Sequence, residues 1–168
     1  NEKIDDATQK VVGMDYSVNL SFKGMDRVDD DNDKTSKKAK KLEMFHQMIS
    51  ALDQAALTEA AKNSLSWIKQ KKASPEVAAA LYSSILKVSR DRETQEPDGK
   101  YPDTIKCKIP CYDGVFKTDV FDEDQKPVDL KESLIKGALA KSIIDVAEVW
   151  FVGGKFGMSL RLIQSRVK

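Results

Sequence analysis

Apolar and polar positions change period several times along the chain. Val18, Leu20 and Phe22 alternate with Asn19 and Ser21, which predicts a strand over about Val11–Gly24. Before it, residues 1–9 are polar and read as a frayed end. From Leu42 the period becomes helical: Leu42, Phe45, Ile49, Leu52 and Ala56 share a face, with Thr35 or Ser36 as the cap. A second helix is predicted over Thr58–Lys71, burying Ala61, Leu65 and Ile68. A third starts at Ser74-Pro75-Glu76, where Ser caps, Pro fits the first turn and the acid meets the positive dipole end. Its inner face is expected to be Val77, Leu81 and Ile85. Residues 89–103 then read as a polar loop.

Period two returns at Thr104. Ile105, Cys107, Ile109 and Cys111 take one face, and Thr104, Lys106 and Lys108 the other. Asp113-Gly114 predicts a hairpin, because both turn positions need positive φ. A second turn is expected over Asp122–Pro127 and a short helix or turn over Asp129–Ile135. In AKSIIDVAEVWFV, Ile144, Val146 and Trp150 are expected on one face, with Ile143, Ala147, Val149 and Phe151 on the other. Gly153-Gly154 turns the chain into a last strand, where Phe156, Met158, Leu160 and Leu162 oppose Ser159, Arg161 and Ser165. Five strands, with helices after the first, predict an α+β chain built as a small Greek-key β-barrel. The 168 residues suit one domain over 1–168, with residues 35–88 as a helical insertion.

Charge alters this picture locally. The net charge is only +1. It divides as −5 over residues 1–33, +6 over 34–72, −4 over 73–133 and +4 over 134–168. A polyanion partner therefore stays open, since binding follows the local face. Two cysteines supply no disulfide framework, so a reducing, intracellular setting is expected, with both thiols acting as small core groups. No apolar run is long enough for a membrane span, and no signal peptide is apparent. The chain opens at Asn1 rather than Met, which suggests a fragment or a trimmed piece.

Most catalytic chemistry lacks its motif. The acidic run Asp29–Asp33 is no calcium loop, because Lys34 and Lys40 stand where Gly and Glu are required. His46 has no ligand company at metal-binding spacing. Neither a nucleophile elbow nor a phosphate loop is present, since GGKFG has the wrong spacing. No cofactor, no metal and no enzymatic activity are expected.

What remains is an interleaving of rings and cations in the second half. Phosphates need cations, and unpaired bases need rings to stack on. The candidate residues for single-stranded nucleic acid are Lys106, Lys108, Tyr112, Phe116, Lys117, Lys141, Trp150, Lys155, Phe156, Arg161 and Arg166. Phe121 and Phe151 complete the rings. The competing structural reading makes the rings core and the cations solvation. The 89–103 loop is a further candidate, as a cover over the strand. Lys87, Arg90, Arg92, Lys100 and Tyr101 favour it, and Asp91, Glu93 and Glu96 oppose it.

The stretch KIPCYDGVFKTDVFDEDQKPV … IKGALAKSIIDVAEVWFVGGKFGMSLRLIQSRV resembles the OB-fold single-stranded-DNA-binding proteins of nucleocytoplasmic large DNA viruses, those of the African swine fever virus type most. More loosely, the chain resembles phage single-stranded-DNA-binding proteins with helices after the first strand. The likeness covers residues 104–167, and WFVGGKFG is its most specific piece. It implies a five-stranded OB barrel and sequence-independent binding of single-stranded DNA in viral replication, repair or recombination. RNA, a homo-oligomer and replication proteins are further partners to consider; a membrane is not. The implied place of work is the host cytoplasm, with the nucleus and the virion as further locations. Several phage members end in an acidic tail, whereas this chain ends SRVK. The alternative is an OB-type protein-interaction module with no direct contact to nucleic acid.

Overall fold

The first three strands predicted by period two are present in shorter pieces and the last two at full length, with further short strands outside them. The structure is a computed structural model and describes residues 2–4, 11–27, 33–69, 71 and 73–168. Most of the expected frayed end, and all of the acidic run except Asp33, lie outside the described residues. The chain is mixed α+β, with an open sheet and helices. The elements are β1 (Glu2–Ile4), β2 (Val11–Met14), β3 (Tyr16–Ser21), α1 (Asp33–Lys62), α2 (Ser64–Ile68), α3 (Pro75–Leu81), β4 (Tyr82–Ser83) and β5 (Leu86–Lys87). They continue as β6 (Thr104–Ile109), β7 (Cys111–Tyr112), β8 (Val115–Phe116), β9 (Asp119–Phe121), α4 (Leu130–Ser133), β10 (Ala140–Val152) and β11 (Lys155–Val167). The first predicted strand is two, β2 and β3, interrupted at Asp15.

The residues fall into two compact units, Asn1–Asn19 with Lys106–Glu148 and Ser159–Lys168, and Leu20–Ile105 with Val149–Met158. In the first unit, strands run in the order β10-β11-β6-β3, with β9 also on β11. β11 pairs parallel with β6, Leu160 beside Cys107 and Arg161 beside Lys108. Further along, it pairs parallel with β9, Gln164 beside Asp119 and Arg166 beside Phe121. Among the described residues the sheet does not close: β3 and β10 are its ends. Cys107, Ile109, Val120, Leu160 and Leu162 form the buried side. Lys106 and Lys108 point outward, as alternation requires. Asp113 (φ 52°) and Gly114 (φ 78°) make the β7–β8 turn in the left-handed region. α4 is capped by the Asp129 carboxylate, which accepts from the N–H groups of Lys131 and Glu132.

In the second unit, the helices differ from expectation. α1 runs 30 residues without a break at Thr58, whose hydroxyl bonds back to the Gln54 carbonyl at 2.9 Å and stays within the helix. The interruption falls at Asn63, whose side-chain amide donates back to the Glu59 carbonyl at 2.9 Å. Restarting there resets the helical phase. Ser64 and Ile68 turn inward, and Leu65, expected inside, is 59% exposed. The Ser74 cap is present, accepting from Val77 N–H at 3.4 Å. α3 ends at Leu81, so Ile85 is buried from the following corner, and Ala78 is the helix's buried residue. Ala60, Ile68, Ala78 and Phe156 make the core here, with Leu57, Trp67, Leu81 and Tyr82 against them. The buried Asp53 carboxylate organises the β4–β5 corner. It accepts from Tyr82 hydroxyl (2.6 Å), Ser84 hydroxyl, Ile85 N–H (2.9 Å) and Leu86 N–H (3.3 Å). Burial, and then Asp53, push the Tyr82 phenol well above its ordinary pKa. Among the described residues, no helix is long and apolar enough to cross a membrane.

Candidate nucleic-acid interface

Two register relations in the first unit place its cations. Pairing of β11 with β6 sets Arg161 beside Lys108 on the outward face, with Lys106 two residues back along β6. Carboxylates from β10 answer two of these cations. Lys108 donates to Glu148 at 3.1 Å, and Arg161 lies 4.0 Å from Asp145. The hydrogen bond and charge of Lys108, helped by Ser159 and Arg161, hold the Glu148 carboxyl below its usual range. Both pairs are exposed, so solvent screens them and each yields readily to a stronger anion.

The second relation is at the far end of the β10–β11 hairpin. Ser142 and Ser165 hydroxyls meet at 3.0 Å, and Lys168 N–H donates to the Leu139 carbonyl at 2.9 Å. Between these contacts Lys141 and Arg166 stand opposite one another. Pairing with β9 puts Phe121 next to Arg166. The result is an open cleft of about 360 Å³ lined by Phe121, Gln125, Lys141, Gln164 and Arg166. Among the described residues, neither Lys141 nor Arg166 has a carboxylate within salt-bridge distance. Two uncompensated cations, a half-exposed ring and two amides converge here. An anion linked to a flat ring system would satisfy all of them.

The β7–β8 hairpin holds the next group. Tyr112 is 61% exposed and Lys117 projects to solvent. Phe116 is half-buried, edge-on to Tyr16 at 4.9 Å between centroids, with the Lys131 ammonium 5.5 Å from its ring. Its ring is thus already engaged on two sides.

The remaining candidates belong to the second unit and divide differently. Lys155 is exposed beside the Gly153–Gly154 turn, whose φ values of 58° and 76° suit a two-residue hairpin. Trp150 is half-buried, its ring laid over Gly157: a Cβ there would come within 2.6 Å of Cζ2. Phe156 corrects the sequence reading. It is fully buried, between Tyr82 (5.0 Å), Trp67 (6.2 Å) and Phe151 (6.2 Å), and offers no face to a base. Alternation sets Phe156 with Met158, Leu160 and Leu162, and that row is the buried one.

The 89–103 loop is exposed over most of its length and internally tied, with Asp91 accepting from Glu93 and Thr94 N–H groups and Asp98 from Ser89. His46 is half-buried, its Nε2 2.8 Å from the Asp103 carboxylate. Among the described residues, no cluster of His, Cys, Asp and Glu is arranged to hold a metal ion. Gln125 and Gln164 escaped the sequence reading. Phe121 was seen there only as one ring among several. A positive φ at Gln125 (65°) shapes the turn after β9, and nothing in the sequence ties that turn to Arg166.

Residues 27–168 match the model described as "Family of unknown function (DUF5871)", and the chain belongs to that family. No curated protein matches it. Among solved structures, it is similar to the single-stranded DNA-binding protein from bacteriophage Enc34 in complex with ssDNA. That similarity has a TM-score of 0.45 and 11% identity, over 99% of this chain and 76% of that one.

Proposed function

We propose that this DUF5871 member binds single-stranded DNA with little sequence preference. The observation that carries the reading is the Lys141–Arg166 pair beside Phe121, two cations that line one cleft and, among the described residues, form no ion pair. Holding like charges together costs free energy unless an anion completes the site. Phosphates supply that anion, and a neighbouring base stacks on Phe121. Lys106, Lys108 and Arg161 supply a second basic group on the outward face of the sheet, exchanging Glu148 and Asp145 for phosphate. Tyr112 and Lys117 on the β7–β8 hairpin are further contacts. The mechanism is capture by charge followed by stacking, with no bond made or broken.

The finer reading follows from the resemblance carried by WFVGGKFG. It is a single OB-type domain with residues 35–88 inserted, serving replication, repair or recombination of a large DNA virus in the host cytoplasm. RNA and replication proteins are secondary partners in this reading. Fluorescence anisotropy with labelled oligo-dT tests its core. Affinity that falls with salt supports it. Absence of binding at low salt favours the protein-interaction module, a reading that the apolar side chains exposed along β10 also support.

A further inference from the structure

β10 is thirteen residues long, ends the sheet and has no fully buried side chain. Leu139 just before it (69% exposed), Ile143 (58%) and Val146 (46%) stand in solvent. An edge of this length with apolar side chains templates pairing with another strand, and natural edges usually block it with charge. This edge carries charge, but in a self-complementary order. Lys141 and Asp145 lie two residues to either side of Ile143.

We propose that β10 pairs antiparallel with β10 of a second copy of this chain, on a two-fold axis through Ile143. That register opposes Lys141 to Asp145 of the second copy, twice by symmetry. It also sets Ile143 against itself, Leu139 against Ala147 and Ala140 against Val146. Opposed unlike charges and apolar pairs each stabilise an antiparallel pair, whereas like charges destabilise it. A register centred on Asp145 would set two carboxylates face to face. A two-fold pairing of identical edges also closes, so it gives a dimer and not a fibre.

Sedimentation velocity of the full chain, from micromolar to millimolar and without nucleic acid, reads this separately from DNA binding, since Lys141 also lines the cleft. The expected result is a concentration-dependent monomer–dimer equilibrium. Ile143→Lys places two ammonium groups on the axis and weakens the dimer about tenfold or more. Lys141→Asp weakens it too, and adding Asp145→Lys restores it. In a Cys111→Ser background, Ile143→Cys forms a disulfide-linked dimer, because opposed Cα atoms about 4.5–5.5 Å apart lie within disulfide range. Val146→Cys, opposite Ala140, does not. A chain that stays monomeric throughout overturns the proposal. So does a dimer indifferent to the charge reversal, or one in which Val146→Cys links as readily as Ile143→Cys.

Discussion

Replacing Lys141 and Arg166 together by alanine removes the cleft's positive charge and leaves the buried side of the sheet intact, because both side chains are exposed. If each cation neutralises one phosphate, each contributes about −0.7 to the slope of log affinity against log salt on a single strand. The double variant should therefore lose about 1.4 from that slope. Over a fourfold rise in salt, wild-type affinity should fall about sevenfold more than that of the variant. Anisotropy titrations with fluorescein-labelled oligo-dT at several salt concentrations measure both slopes. Circular dichroism melts of the two proteins should coincide. A variant with an unchanged slope and normal folding would refute phosphate binding at this cleft, whatever its absolute affinity.

Phe121→Ala should weaken oligo-dT binding by about 1–3 kcal/mol in the same assay while leaving the melting temperature nearly unchanged. Phe156→Ala should do the reverse, costing about 3–5 kcal/mol of stability by emptying a fully buried site. Gly157→Ala drives a methyl to 2.6 Å from the Trp150 ring and 2.9 Å from the Ser83 carbonyl; a loss of about 1–3 kcal/mol on chemical denaturation is expected. Burial pushes the Cys107 thiol up to about 11, so Cys111 should react first with a thiol reagent in the folded protein. Because the folded value lies above the ordinary 9.0, the stability this thiol contributes is complete below pH 9.0 and is lost as pH rises through about 11, which denaturant midpoints would follow.

Local features were readable wherever one short-range rule decides them. Alternation placed Ile105, Cys107 and Ile109 inside and Lys106 and Lys108 outside, as found. Turn chemistry located Asp113-Gly114 and Gly153-Gly154, and the Ser-Pro-Glu signature located the start of α3. Features set by distant partners were not readable. Leu65 lies outside because α2 restarts after Asn63, a break that apolar period does not encode. On β10 the half-buried residues are Ser142, Ile144, Ala147 and Trp150, so neither of the two alternating faces expected is sheltered along its whole length. Asp53 carries no local sequence signal, since its hydrogen-bond partners begin 29 residues away, at Tyr82. The cleft was legible only in part. Lys141 and Arg166 were among the candidates, but their meeting with Phe121 needs the parallel pairing of β11 with β9, which no hairpin signal announces.

Photo-crosslinking shows most directly where a single strand lies. An oligonucleotide carrying 5-iodo-deoxyuridine, irradiated in complex with the full chain and mapped by mass spectrometry, should attach to Phe121 in β9, with the adduct lost on Lys141→Ala/Arg166→Ala. Adducts confined to Trp150 and Phe151, or none despite measured binding, would contradict a DNA track through this cleft.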